Sequence, residues 1–137
     1  MQWGGSSLKK ISLTIIFGAI LLLFGCQSND NNFAFNGENE IWSAKVTVNQ
    51  SEGEENYQIQ LNYKGNDIEE IDTFYYEVES KNNGNIDFAA QNASLNKDGV
   101  YFNKLLGSNS PTTSSDDELV IKVQWNDSSD SFTLINK

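Results

Sequence analysis

From Ile41 onward the chain alternates apolar and polar residues with a period of two, and no other feature limits the fold as much. A strand turns successive side chains to opposite faces, so this period reads as a strand with one buried face. In "IWSAKVTV", Trp42, Ala44, Val46 and Val48 share a face, opposite Ser43, Lys45 and Thr47. In "YQIQLNYK", Tyr57, Ile59, Leu61 and Tyr63 point one way and Gln58, Gln60, Asn62 and Lys64 the other. "TFYYEVES" puts Phe74, Tyr76 and Val78 inward and Tyr75, Glu77 and Glu79 outward. "IDFAA" (86–90), "VYFNKLL" (100–106), "ELVIKVQW" (118–125) and "FTLIN" (132–136) continue the series, and Leu95 marks a further short strand. Polar segments separate them: "SEGEEN", "GND", "KNNGN", the Lys97-Asp98-Gly99 turn, the proline-containing loop "SNSPTTSSDD" and "NDSSDS".

Seven or eight short strands in about 100 residues, with no helical stripe of any length, predict an all-β domain over residues 40–137. Strands that are apolar on one face need a second layer to cover it, which predicts two packed sheets. The expectation is an immunoglobulin-like two-sheet β-sandwich, with a small barrel as the alternative. No disulfide can cross it, because the chain has one cysteine.

Composition excludes several functions. The chain holds 19 acidic residues and nine basic ones, all lysine, for a net charge of −10. Nucleic acid is excluded as a partner, since phosphate recognition depends on basic residues. There is no histidine, hence neither the commonest general base nor the commonest metal ligand. No nucleophile motif of the G-x-S-x-G type occurs. The expectation is a protein that is not an enzyme, has no catalytic residues and needs no cofactor.

The one cysteine, Cys26, follows a run that stands apart from everything after it. Lys9 and Lys10 precede "ISLTIIFGAILLLF", residues 11–24, which is apolar apart from two hydroxyls. As a helix it would span about 21 Å, short of a bilayer core of about 30 Å. A basic start, a short apolar run and a small residue before a cut site describe a secretory signal peptide. "Leu23-Phe24-Gly25-Cys26" resembles the lipobox of bacterial lipoproteins, with Phe24 where Ala, Ser, Thr or Val is usual. The resemblance implies a diacylglyceryl group on the Cys26 thiol and removal of residues 1–25. The protein would then be held on the outer face of the bacterial cell membrane. Two acyl chains anchor stably where one does not. The alternative is an uncleaved anchor with an inert, buried Cys26. The chain also resembles small lipoproteins of Bacillus-type bacteria, on residues 118–134, "ELVIKVQWNDSSDSFTL". That likeness implies a β-sandwich ending in a hairpin, and no catalytic residues.

Residues 26–39 read as the lipidated cysteine and a flexible tether, because "SNDNNFAFNGEN" is rich in Asn and lacks periodicity. Its twelve residues would reach about 20 Å. That exceeds the screening length of about 8 Å at physiological salt and would carry an acidic domain clear of anionic headgroups. Phe33 and Phe35 interrupt the tether, either as a short first strand at the domain edge or as contacts for a partner. Tyr75 and Tyr101 fall off the apolar parity and are the other candidate partner contacts. Acidic clusters suggest calcium as a second function, most readily at Asp116, Asp117 and Glu118 and at Asp127 and Asp130. The leading expectation is a lipid-anchored extracytoplasmic domain that binds a protein or cell-wall partner. The alternative is an acidic calcium-binding or structural surface module.

Overall fold

The computed structural model describes residues 31–82, 84–107 and 112–137. These residues form eight strands: β1 (Asn31–Glu38), β2 (Trp42–Ser51), β3 (Glu54–Tyr63), β4 (Phe74–Ser80), β5 (Asp87–Ala93), β6 (Val100–Leu106), β7 (Glu118–Trp125) and β8 (Ser128–Asn136). The only other element among the described residues is one 3-10 turn, Ile68–Glu70. The all-β expectation holds.

The expected separation into two sheets is replaced by one continuous antiparallel sheet, in the order β5-β4-β7-β8-β1-β2-β3-β6. A short seam causes this. Strands β1 and β8 pair only at Phe35↔Asn136 and Asn36↔Ile135, and this joins two four-stranded halves into one ladder. The sheet then rolls so that the halves face each other. The end strands β5 and β6 do not pair, so the roll stops just short of closure. Aromatic rings bridge its interior. Tyr57 of β3 stacks on Phe88 of β5 at 5.7 Å, and the Tyr76 and Tyr101 hydroxyls lie 3.3 Å apart between β4 and β6.

The interior follows the parity of the sequence. Trp42, Val46, Ile59, Tyr76, Ile121 and Leu134 are all fully buried. Trp42 is the central contact between the halves, with ring centroids 5.3 to 5.5 Å from Tyr63, Phe74 and Trp125. Its indole N–H is buried without a hydrogen-bond partner.

Several local expectations are corrected. Residues 31–38, expected within the tether, form β1, and β1 is an interior strand of the sheet rather than an edge. It pairs with β2 along its whole length, from Asn31↔Gln50 to Glu38↔Ser43. The polarity of this segment is accounted for by its alternate residues facing outward. Leu95 lies in a loop and begins no strand. The segment "NDSSDS" is mostly strand: Asn126 takes a positive φ of 50°, which tightens the turn to Asn126 and Asp127, and β8 pairs with β7 from Ser128. The Glu52–Gly53 turn is equally short, since both residues take positive φ, the geometry that suits a two-residue hairpin.

Glycine matters most at Gly37. A Cβ there would collide with the carbonyl oxygen of Thr133 in β8 and lie 2.8 Å from Leu134. Only glycine lets β1 approach β8 closely enough to close the seam.

Candidate functional site: two outer faces of the sheet

The inward positions are taken up by the packed core, so the candidate surfaces are the outward positions of the strands. These divide into two unlike surfaces.

The first surface is the outside of β4, β5 and β7. Tyr75, Glu77 and Glu79 project from β4, beside Lys122 and Gln124 of β7 and Asp87 of β5. Tyr75 donates a hydrogen bond to Glu77 Oε2 at 3.2 Å. One oxygen from each of Glu77, Glu79 and Asp87 falls within 4.8 Å of the others. Glu79 and Asp87 stand directly opposite across the ladder, an unfavourable like-charge pair. A hydrogen bond between the Glu77 and Glu79 carboxyls relieves part of this. It pushes the Glu79 carboxyl above its ordinary value, with the charges of Glu77 and Asp87 adding to the shift. The same bond, with help from Tyr75 and Lys122, holds Glu77 below its ordinary value. Glu79 therefore keeps its proton longer and donates it to Glu77.

The second surface is the outside of β1, β2, β3 and β6, continuing onto β8. Its outward residues are mostly amides and hydroxyls, including Asn36, Ser43, Gln58, Gln60 and Asn62. A groove of about 650 Å³ crosses it at the β1–β8 seam. Gly37 lies in the floor, and Lys45, Lys137 and Ile135 are among the lining residues. Lys45 and Lys104 form no ion pair among the described residues. Glu38 is paired with Lys64 at 2.6 Å, which holds its carboxyl below the ordinary range through hydrogen bonding and charge.

The expected site residues fare differently. Tyr75 is outward, as its parity indicates, and joins the carboxylate face. Tyr101 is inward, packed edge-on to Phe74 at 5.5 Å; its neighbour Phe102 is the outward aromatic of β6. Phe35 is fully buried and Phe33 packs against the core, so both serve the first strand and Phe35 has no surface to offer a partner. Cys26 lies outside the described residues. Among the described residues no helix is long and apolar enough to cross a membrane.

The two acidic loops expected to hold calcium lie at opposite ends of β7, whose eight residues span about 27 Å. They cannot share an ion. In the first, Asp117 accepts from the Ser114 N–H at 3.0 Å and Glu118 pairs with Lys81 at 3.1 Å. In the second, Asp130 accepts from the Asn39 side chain. The Asp117 contact orders its own turn, and those of Glu118 and Asp130 tie their strands to Lys81 and Asn39 in distant segments.

Glu55, in the polar segment "SEGEEN" that separates two expected strands, is fully buried. Its carboxylate accepts hydrogen bonds from Tyr57 Oη at 2.5 Å, Gln50 Nε2 at 2.7 Å and the Thr113 N–H at 3.0 Å. Burial works to raise its pKa, but these donors outweigh burial and hold it below the ordinary value. Burial and the nearby Glu55 charge in turn raise the Tyr57 phenol. The network ties the segment before β7 to the β2–β3 hairpin, because Gln50 also donates to the Thr113 carbonyl at 2.8 Å. Parity carried the signal for Glu55: it is in step with Tyr57, Ile59 and Leu61.

These observations define the class as an all-β domain of eight antiparallel strands in one nearly closed sheet. No protein-family model, no curated protein and no solved structure matches the chain.

Proposed function

We propose that this chain is a non-enzymatic binding domain, held at the outer face of the bacterial cell membrane by a lipid on Cys26, and that it engages a cell-wall or protein partner. The observation that carries the binding role is the open groove over the β1–β8 seam, lined by amides, hydroxyls and lysines. Such groups form hydrogen bonds and charge contacts with a ligand lying on the surface. The lipobox of residues 23–26 carries the location.

On that reading, the position of β1 bears on how the domain would stand on the membrane. Strand β1 starts at Asn31, only five residues after Cys26, a reach of at most about 18 Å. The domain would therefore sit close to the bilayer, with the Asn31 end and the adjoining β2–β3 hairpin toward the membrane. The outer faces would stand as side walls, open to the wall polymer around them.

Mass spectrometry of membrane-extracted protein tests the anchor. The expected species begins at Cys26 and carries the mass of a lipid. An intact residue 1, or unchanged membrane retention in Cys26→Ser, overturns it. Crosslinking from intact cells tests the binding role, with a partner captured through the groove face as the expected result. Calcium titration separates the rival: a calcium-dependent rise in melting temperature, lost in Glu79→Gln, would favour the carboxylate face as the working surface.

A further inference from the structure

Two strand residues expose large apolar side chains, Phe102 (54%) and Ile135 (42%), and they are the two ends of one line. Phe102 stands opposite Gln60, Gln60 opposite Lys45, Lys45 opposite Asn36, and Asn36 opposite Ile135. Five strands, β6, β3, β2, β1 and β8, each contribute one outward side chain. At about 4.8 Å per strand, the row spans about 19 Å. A scattered exposed hydrophobe needs no explanation. Here two of them bracket an amide–lysine–amide centre, and the groove over the seam lies along the same row.

Charge narrows the occupant. The protein carries −10 overall, yet this face holds Lys45 and Lys104, which form no ion pair among the described residues. Its acids are Glu38, which lines the groove and is neutralised by Lys64, Glu118, which stands opposite Ile135 and is neutralised by Lys81, and Glu54 at the hairpin end. The row thus attracts an anion on a molecule that otherwise repels one. Protein interfaces draw on several aromatic and arginine anchors; this face has one aromatic, no arginine and many amides. A second copy is also a poor match. Face to face it would oppose Lys45 to Lys45, and face to back it would build an open-ended chain.

We propose that the row Phe102–Gln60–Lys45–Asn36–Ile135 binds an acidic, acetamido-substituted glycan strand lying across the β-strands. This deepens the proposed cell-wall role and rests on it. Phe102 and Ile135 pack against apolar sugar faces and acetyl methyls. Gln60 and Asn36 each offer a donor and an acceptor to hydroxyls and acetamido groups. Lys45 meets the carboxylate.

The test is calorimetry with the full chain in detergent micelles and three probes: hyaluronan oligosaccharides (acidic and acetamido-substituted), chitohexaose (acetamido-substituted only) and dextran (neither). Hyaluronan is expected to bind, more weakly as salt rises; chitohexaose at least several-fold more weakly; dextran not at all. Lys45→Glu and Phe102→Ala should each weaken hyaluronan at least tenfold, while Glu77→Gln on the other face leaves it unchanged. Unfolding curves of each variant check the fold, and Ile135→Ser replaces Phe102→Ala should the latter unfold. Absence of hyaluronan binding, or equal binding by Lys45→Glu, overturns the proposal. So does self-association abolished by Phe102→Ala without glycan binding, which would make a second copy the occupant. A chain that is lipidated and captures a protein partner but binds no glycan breaks only this proposal. A chain that binds hyaluronan through the row but carries no lipid breaks only the anchor.

Discussion

The two outer faces of this sheet share a core, a pleat and a parity, yet they differ in chemistry. Outside β4, β5 and β7, Glu79 opposes Asp87 across the ladder, and its contact with Glu77 raises its carboxyl above the ordinary value. Outside β1, β2 and β3, amides face amides and lysine, as in Gln60↔Lys45 and Asn36↔Lys45. Folding dictates the inward residues of both halves and leaves the outward ones free. A net charge of −10 spread evenly would serve solubility on either face. Most of the acids lie in turns; of the outward strand positions, those of β4 and β5 gather Glu77, Glu79 and Asp87, whereas those of β1, β2 and β3 are mostly amides and hydroxyls, the surface that the binding role proposed above would use.

The hardest blow to this contrast is one that removes both faces together. Trp42 touches rings from β3, β4 and β7, so it couples the halves. Trp42→Ala should cost about 3–5 kcal/mol, a large share of the roughly 5–15 kcal/mol that holds a domain together. Urea unfolding measures it; a loss below about 1 kcal/mol would mean that the halves stand independently. Gly37→Ala is more selective. It forces β1 away from β8 at the seam, at a cost of about 1–3 kcal/mol for an added methyl in a tight site. Amide exchange should quicken in β1 and β8 and stay slow in β4 and β5. Uniform quickening would show that the seam is not a local feature.

Glu55 sharpens the comparison by being the acid that belongs to neither face. Its carboxyl titrates lower in the folded chain than in the unfolded one. The stability it contributes is therefore present above the unfolded pKa, about 4.3, and is lost as pH falls through the lower folded value. Glu55→Gln should cost about 1–3 kcal/mol at neutral pH, since it weakens charge-assisted hydrogen bonds from Tyr57, Gln50 and Thr113. The gap to the parent chain should close in acid. Thermal melts at pH 7 and below pH 4 read both quantities, and a gap independent of pH would assign the loss to packing instead.

Much of this architecture is legible in the sequence because parity is local. Strands β2, β3, β4 and β7 can be read from alternation alone, and so can the outward direction of Tyr75. Strand β1 is hidden because half of its residues are asparagines and glycine; its interior place depends on pairing with β8, about 100 residues away. Tyr101 and Phe102 are adjacent aromatics, and only the pairing of β6 with β3 decides which one faces out. The same limit hides both candidate surfaces. Glu77 and Glu79 show their shared face, but the arrival of Asp87 opposite Glu79 is a matter of register. The row from Phe102 to Ile135 draws one residue from each of five strands, and nothing in the order of the chain brings them together.

The smallest expected effect bears on why the carboxylate face exists at all. Glu79 titrates higher in the folded chain than in the unfolded one, because Glu77 and Asp87 crowd it. The sign is then opposite to that of Glu55. Relative stability from Glu79 is fully present below its unfolded pKa, about 4.3, and is lost as pH rises through the higher folded value. Glu79→Gln keeps a hydrogen-bond donor toward Glu77 and removes the charge facing Asp87. The variant should melt slightly above the parent at pH 7 and level with it in acid. A face that gains stability when an acid is removed is not being held for stability, and the amide face offers no equivalent gain, since Gln58, Gln60 and Asn62 carry no charge to remove. If Glu79→Gln instead melts lower at pH 7, the carboxylates are held together by a favourable interaction, and the contrast between the faces would have to be redrawn around the acidic one.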